Sequence, residues 1–250
     1  MESNVDRDIF TEELPLKSCL SIVLFMTATP LLANTAIETE TAQIGKKGDI
    51  GISQSIEFEK ASDGKAFGTL TQFEYGISDR AEILIEPFFH LWDIPNEGPS
   101  ENGTGDLEIT PSYMVVMEKG LVPALLLAMK VKVPTGDKNV GGSGQFDYYP
   151  YIILGQHFGS WIFNANFGVN CVTPEKKTVL EKTVIWDLEV ERELSDKVSV
   201  FYELYSAEES VITASTAVQY QFTEHFNAFM AFAYSAEHTL IFRPGVNFEF

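Results

Sequence analysis

The sequence predicts an all-β protein that folds as a single antiparallel, up-and-down transmembrane β-barrel of twelve strands. From Gly48 onward, apolar and polar residues alternate with a period of two, which indicates strands with two different faces. Many of these segments are 10 to 13 residues long, close to the ~9 to 11 residues that cross a bilayer obliquely. Short and longer connections alternate between the segments, as in bacterial outer-membrane barrels.

The alternation is clearest in the seventh and eighth segments. Trp161 and Phe163 alternate there with Ile162 and Asn164, and the next segment continues the pattern. A soluble sandwich alternates in the same way, so the length of the segments and the pattern of connections decide for a barrel. The twelve predicted strands cover residues 48–59, 66–77, 81–92, 106–117, 122–133, 146–156, 161–172, 182–194, 198–206, 211–222, 226–235 and 239–250.

Short connections at 78–80, 118–121, 157–160, 195–197 and 223–225 indicate tight turns at one rim of the barrel, and the longer loops 93–105 and 134–145 fall at the other rim. Prolines count against the assignment, because each one removes a ladder hydrogen bond. We expect the lipid-facing phase and local bulges to accommodate them at Pro87, Pro111, Pro150 and Pro244.

The chain ends in "FRPGVNFEF", residues 242–250, an alternating strand that closes on an aromatic residue. A barrel in lipid has to pair its last strand with its first, because an open edge leaves backbone groups without partners. We therefore expect this segment to be the closing strand. Phe248 and Phe250 lie in the lipid-facing phase, and the ending resembles the signal that the barrel assembly machinery recognises.

The amino-terminal region has the features of a secretory signal. An apolar stretch follows Lys17 and runs from Cys19 to Ala33, with Pro30 arguing against a buried core helix. We assign residues 1–33 to a signal peptide with an unusually long acidic leader, with cleavage after Ala33 or Ala36. Residues 34–47 then form an N-terminal segment, either a periplasmic extension or a plug, and residues 48–250 form the barrel.

The charge balance excludes nucleic acid as a partner. The chain has 17 basic and 36 acidic residues and a net charge of -19, and a nucleic-acid partner requires a basic surface. Residues 1–33 contain five acids and two bases, so the mature charge is -16. Without Cys19, Cys171 has no partner for a disulfide. We predict no cofactor and no metal, and outer-membrane lipid as the surroundings.

The polar phase of the strands predicts a lumen rich in carboxylates. Such a lumen would repel anions and favour cations or neutral solutes; alternatively, the acids hydrogen-bond to one another, to the few bases and to an inserted amino-terminal segment. Inward aromatic residues either stack a solute or fill a narrow bore; they are Phe88, Tyr149, Tyr151, Phe201 and Phe229. The candidate lumen-facing residues are Glu57, Glu74, Glu82, Glu86, Glu108, Lys130, Lys132, Asp147, Tyr149, Asp187, Glu189, Glu203 and Arg243.

Three stretches carry a family resemblance: "GTGDLEITPSY" (103–113), "KVPTGD" (132–137) and "GGSGQFDYYP" (141–150). They resemble the family of outer-membrane transporters named for the MetA pathway of phenol degradation. The resemblance implies a barrel and uptake of small molecules, and it supplies no catalytic residues. In this chain the glycines read as loop residues that let the backbone turn.

These observations favour a channel or transporter for small solutes, aromatic or hydrophobic ones among them, in the outer membrane of a Gram-negative bacterium. The protein is not expected to be an enzyme. Glu224-His225 and Glu237-His238 are thirteen residues apart, which is roughly 40 Å along extended chain and places them at opposite rims. A structural or adhesive barrel without transport, or a membrane-embedded lipid hydrolase, are the alternatives.

The first prediction concerns export. The mature protein should lack residues 1–33 and should fractionate with the outer membrane, because an apolar export signal precedes strands with a lipid-facing phase. Amino-terminal sequencing of the membrane fraction measures this. Intact protein beginning at Met1 in a soluble fraction would contradict it.

Overall fold

A computed structural model describes residues 37–138, 140, 142–172, 180–206 and 211–250, without the side chain of Phe88. The predicted signal peptide, residues 1–33, lies outside the described residues. Within them the secondary structure consists of thirteen β-strands: β1 (Ile50–Lys60), β2 (Gly64–Ser78), β3 (Ala81–Pro95), β4 (Glu101–Thr104), β5 (Leu107–Val116), β6 (Ala124–Val133), β7 (Asp147–Phe158), β8 (Trp161–Val172), β9 (Glu181–Ser195), β10 (Val198–Ser206), β11 (Ile212–Thr223), β12 (Phe226–Ser235) and β13 (Leu240–Glu249).

Twelve of these strands close into one antiparallel barrel, which confirms the predicted fold class and strand number. Each barrel strand pairs with its neighbour in the chain, and β1 pairs with both β2 and β13, so the ring has no open edge. β4 was not predicted, because it falls in the proposed loop 93–105. It pairs with the end of β3, from His90↔Thr104 to Asp93↔Glu101, in the same register in which β5 pairs with the start of β3. β4 therefore continues the β5 edge of the wall at the extracellular rim, and its residues show no apolar alternation.

The two rims differ as the sequence indicates. Two-residue connections join β2 to β3, β7 to β8, β9 to β10 and β11 to β12. The chain enters β1 and leaves β13 at this same rim, which is the periplasmic one by the usual construction of such barrels. The longer connections, including the one that contains β4, extend from the opposite, extracellular rim.

The last residue is bound to the first strand. Ile50 N donates to Phe250 O at 3.0 Å, and Phe250 N donates to Ile50 O at 2.9 Å. The register continues from Gly51↔Glu249 to Lys60↔Leu240. The carboxy-terminal segment is therefore the closing strand of the barrel, and its end is held by two hydrogen bonds.

The four prolines that the sequence places in strands, Pro87, Pro111, Pro150 and Pro244, lie in strands of the structure as well. At each of them the ladder of hydrogen bonds between strands is interrupted. At Pro87 the β2–β3 register shifts between Thr71 and Phe73, which is a bulge. Beside Pro111, Pro150 and Pro244, the pairing with one neighbouring strand skips two residue pairs while the register stays constant. A proline lacks the N–H that the missing bond needs. The wall keeps its faces at Pro111, Pro150 and Pro244, whereas the bulge at Pro87 moves the buried positions of β3 from Leu84 and Glu86 to Phe89 and Leu91.

The wall has an apolar outer face and a polar inner face. Phe163 and Leu188 are each 42% exposed on the outside, whereas their neighbours Asn164 and Glu189 are 4% and 1% exposed. Many further large apolar side chains are exposed on the outer face, including Phe58, Tyr113 and Phe232. Such a surface is costly in water and favourable in lipid. Among the described residues, no helix is long and apolar enough to span a membrane.

The outer face generates the second prediction. Phe163→Lys or Leu188→Lys should lower the free energy of unfolding in vesicles by up to ~2 to 4 kcal/mol, the cost of a cation near the midplane of a barrel. Ser160→Lys, in the two-residue turn between β7 and β8, is the matched control and should have little effect. Urea titration of refolded protein measures the difference, and equal losses for all three variants would show that this face does not contact lipid.

Candidate functional site

The candidate site is the lumen. The structure places the predicted polar residues on the inner face of the wall, where all but two of the thirteen are buried; Lys132 and Tyr149 are half-buried. Tyr151, Phe201 and Phe229 also lie inside and are buried. Phe88 was also predicted to point inward, but its side chain lies outside the described residues. The buried residues are Glu57, Glu74, Glu82, Glu86, Glu108, Lys130, Asp147, Asp187, Glu189, Glu203 and Arg243.

The bore is crossed by the amino-terminal part of the described chain, residues 37–47, here called the lumen segment. At one end Ile37 is fully buried against Phe201, Tyr205 and neighbouring alanines of β11 and β12. At the other end Ala42 packs in a cluster contributed by β5, β6 and β7. These walls lie on opposite sides of the ring, and the five residue steps from Ile37 to Ala42 span roughly 17 Å when extended. The segment therefore passes across the barrel.

Glu203 is the main anchor of the lumen segment. Its carboxylate accepts backbone hydrogen bonds from Ile37 at 3.0 Å, from Glu38 at 2.8 Å and from Thr39. The hydroxyls of Thr39 and Ser215 donate to it at 2.8 and 2.6 Å. A buried carboxylate is costly unless its lone pairs are satisfied, and here the donors are backbone and hydroxyl groups rather than a basic side chain.

A buried ion pair holds the same end of the lumen segment from the β13 side. Arg243 Nε donates to Glu57 Oε2 at 2.7 Å, and a second guanidinium nitrogen contacts the same oxygen. Arg243 Nη1 donates to the carbonyl of Ile37 at 2.9 Å. The guanidinium therefore neutralises one wall carboxylate and fixes one backbone carbonyl of the segment.

The remaining inward bases form a ladder with two carboxylates. Lys130 Nζ lies 3.3 Å from Glu108 and 3.9 Å from Glu86, and Lys132 Nζ lies 3.2 Å from the other oxygen of Glu108. Gln72 donates to Glu86 at 2.9 Å. Each inward lysine is therefore engaged by the wall, and neither is available as a free anion site.

Further contacts attach the middle of the lumen segment to the wall. Tyr151 Oη donates to the carboxylate of Glu40 at 2.6 Å, the amide oxygen of Asn164 accepts from Ala42 N at 3.1 Å, and Glu82 accepts from Gly45 N at 3.1 Å. Gly155 allows this approach, because a Cβ there would lie 2.4 Å from the Cβ of Ala42. The wall thus has a complementary binding surface for the segment, formed by Tyr151, Asn164, Glu82 and Gly155, and we call it the seat.

A narrow polar cavity remains between the lumen segment and the wall. Carboxylates line it from both sides, with Glu38 and Glu40 on the segment and Asp187 on β9. Tyr149 and Tyr151 stack beside it with ring centroids 4.6 Å apart. No group of three His, Cys, Asp or Glu side chains in the described chain is arranged to hold a metal ion. The other lining residues are Lys130, Asn166, Ile185, Tyr205 and Ser206.

The motif residues meet at the extracellular mouth. Asp106 is 2% exposed, and its carboxylate accepts from Gly136 N and Ser143 N, both at 2.7 Å. It thereby joins the "GTGD" turn to the "PTGD" and glycine-rich parts of the β6–β7 loop. Val140 of that loop packs on inner residues of β2 and β3, including Leu70 and Leu91. The loop therefore folds into the mouth and narrows it.

The periplasmic rim carries one exposed acid–base contact. His157 Nδ1 and backbone N bind Glu118 at 2.5 and 3.0 Å. Burial opposes ionisation of Glu118, but the hydrogen bonds from His157 outweigh it and hold the pKa of this carboxyl below its usual value. Gln43 of the lumen segment lies 3.4 Å from His157, so this contact adjoins the segment as well.

Several of these residues were not singled out in the sequence. Ile37, Glu38, Glu40 and Ala42 belong to a stretch with no strand period, and Asp106 stands at the start of the predicted strand 106–117 without a predicted role. The roles of the four segment residues depend on residues more than a hundred positions away, as in the contact of Ile37 with Glu203, and the role of Asp106 depends on a loop 30 to 37 positions away. The sequence indicated the lumen segment only through the short polar stretch between the predicted signal peptide and the first strand.

The closed wall, the apolar exterior and the polar bore together define an outer-membrane β-barrel of a Gram-negative bacterium. The chain belongs to the family described as "Putative MetA-pathway of phenol degradation", which matches residues 32–240. A comparison with curated proteins finds no match.

Solved structures of low sequence identity share the fold. The COG4313 outer membrane channel from Pseudomonas putida F1 is 10% identical with a TM-score of 0.62, covering 83% of this chain and 97% of that one. The KdgM porin in complex with disordered oligogalacturonate is 14% identical with a TM-score of 0.57, covering 80% and 99%. The translocator domain of autotransporter NalP from Neisseria meningitidis is 10% identical with a TM-score of 0.51, covering 82% and 89%.

The anchoring contacts generate the third prediction. Glu203→Ala leaves three backbone N–H groups of the lumen segment without their acceptor, at roughly 1 to 3 kcal/mol for each buried group. Local release of the segment should therefore become at least about tenfold more favourable. A cysteine placed at Thr39 reports it through its rate of modification by a water-soluble maleimide.

A second variant tests the seat itself. Gly155→Leu should also expose the cysteine at position 39, because its side chain occupies the place of Ala42. Ala165→Leu adds a similar volume at a lipid-facing position on the neighbouring strand and should leave the labelling rate unchanged. Unchanged labelling in both Glu203→Ala and Gly155→Leu would show that these contacts do not hold the segment.

Proposed function

We propose that the protein is a channel for small solutes that favours cations and neutral molecules over anions. The observation that carries this proposal is that the lumen segment, and not wall side chains alone, fills the bore. A barrel of about eight strands is filled by its own side chains, whereas this twelve-stranded wall leaves enough room for an extended chain segment. Movement of that segment would leave a water-accessible path.

The charge of the wall determines the expected selectivity. The three inward bases of the described wall, Arg243, Lys130 and Lys132, are already bound to Glu57, Glu86 and Glu108. Asp187 and Glu189 remain on the wall, and Glu38 remains on the segment, without a basic side chain at ion-pair distance among the described residues. A confined path lined by such groups repels anions and concentrates cations.

The KdgM porin differs from the proposed channel in the charge of the solute that it binds. Its solute, an oligogalacturonate, is a polyanion, and the lumen of the present protein has the wrong sign of charge for that class. Tyr149 and Tyr151 present a stacked aromatic pair beside the polar cavity. We infer that an aromatic solute with a neutral or positive polar group fits this position better than a charged saccharide.

A structural barrel without transport is the second candidate. The same lumen segment supports it, because the contacts of Glu203, Arg243 and Tyr151 close the bore with satisfied hydrogen bonds. The two functions differ in whether the segment leaves its seat under any condition in the membrane.

The carboxy-terminal strand supports a proposal about assembly. Phe248 and Phe250 are 38% and 70% exposed on the lipid face of the closing strand, and the strand is the last part of the ring to be translated. We propose that the barrel assembly machinery recognises this strand before β13 pairs with β1.

The decisive experiment is conductance in planar bilayers. Protein that lacks residues 37–45 should conduct steadily, whereas the full mature chain should conduct less or intermittently, because the lumen segment occupies the bore. If the shortened protein is folded and yet passes no current, the lumen is a closed structural core and the channel proposal fails.

The fourth prediction concerns selectivity. Asp187→Lys should shift the reversal potential toward anions, because it replaces an acid at the central cavity by a base. The shift should shrink in 1 M salt, where the Debye length is ~3 Å. Asp196→Lys makes the same charge change in the periplasmic turn after β9 and serves as the control. An anion-selective parent protein would contradict the proposal.

A further inference from the structure

The outer face of the barrel has an unexpected charge distribution. In the chain as a whole, acids outnumber bases by 36 to 17. At the lipid-facing positions of the twelve barrel strands, however, every charged side chain is basic: these are Lys60, Lys65, Lys182 and Arg192. Random placement of an acidic composition would put mainly carboxylates there. The exclusion of acids from this face indicates that it meets a negatively charged environment.

Two of the four bases are direct neighbours. Lys60, at the end of β1, is paired with Lys65, at the start of β2, and both side chains are exposed on the outside at the extracellular rim. Like charges directly opposite each other on one face of a sheet are destabilising. Among the described residues, no carboxylate lies at ion-pair distance from either ammonium group. An external anion between them would remove the repulsion.

An apolar platform lies directly below the two lysines. Trp92, Phe67, Phe58, Phe242 and Phe232 occupy paired positions on five adjacent strands, and we call this set the ring row. Adjacent rings contact one another with centroids 4.7 to 6.1 Å apart. Aromatic residues gather at the boundary between hydrocarbon and headgroups in such barrels. The ring row therefore marks the depth of that boundary, and the lysines form the next outward-facing pair, two residues farther toward the extracellular side.

The geometry fits one kind of partner. We propose that Lys60 and Lys65 bind the phosphate of a phosphorylated glycolipid in the outer leaflet, while the ring row packs against its acyl chains. The lysines supply two cations at headgroup depth, and the rings supply a flat apolar surface on the hydrocarbon side. This surface lies on the outside of the wall, so its occupation is independent of whether the lumen conducts.

The test measures lipid binding by native mass spectrometry of the full mature protein in detergent. Diphosphoryl lipid A is the probe. The double variant Lys60→Ser with Lys65→Ser should bind it roughly 25-fold more weakly, since each basic residue near an anionic surface contributes roughly fivefold. The matched control, Lys119→Ser with Lys197→Ser, removes two exposed lysines from the periplasmic turns and should bind as the parent does. Heat-dependent gel mobility verifies that each variant is folded.

Three further probes identify the source of the phosphate. Dephosphorylated lipid A should bind weakly to the parent and should be insensitive to the lysine variants, whereas Phe58→Ser should weaken both forms of lipid A. Equal affinity for phosphatidylglycerol would overturn the choice of a glycolipid. Competition by inorganic phosphate at the same concentration would reduce the site to an ion site and overturn the lipid proposal, as would unchanged lipid A binding in the Lys60/Lys65 variant.

Discussion

Closure of the backbone hydrogen-bond ladder is the constraint on which the rest of the structure depends. In hydrocarbon there is no water to pair with a free N–H or C=O group, so a sheet that crosses a membrane has to end on itself. The bonds between Ile50 and Phe250 complete that ring. The proline positions show how much loss the ladder tolerates, since Pro111, Pro150 and Pro244 each interrupt pairing on one side only while the pairing with the other neighbouring strand continues.

Closure also determines where polar groups go. Once alternate residues face lipid, the other half of each strand has to share a confined interior, and in this acidic chain that half contains many carboxylates. The interior satisfies them partly with Arg243, Lys130 and Lys132 and partly with donors from the lumen segment. Glu203 illustrates the second solution, because backbone N–H groups stabilise its charge without introducing another one.

The lumen segment is also central to the proposed function. In the proposed channel, Glu203 would hold the segment and close the bore, and it would add to the charge of the path once the segment leaves. Wall glycines add steric specificity, since Gly155 accepts Ala42 where any larger residue would clash. At the extracellular mouth, Asp106 fixes the inward fold of the β6–β7 loop by the same kind of bond to backbone N–H groups.

The sequence by itself determined the fold class, the number of barrel strands and the phase of most strands, because a period of two is a local property that one strand displays in full. The reversal of phase within β3 at the Pro87 bulge became visible only in the structure. The phase predicted which side chains point inward, Glu203 and Asp187 among them. Only the tertiary structure decided what those side chains bind. Ile37 meets Glu203 across 166 positions and Glu40 meets Tyr151 across 111, and β4 forms solely because β3 offers its end as a partner. Such contacts arise when the ring closes and brings opposite walls within reach of one segment, and no local pattern encodes that distance.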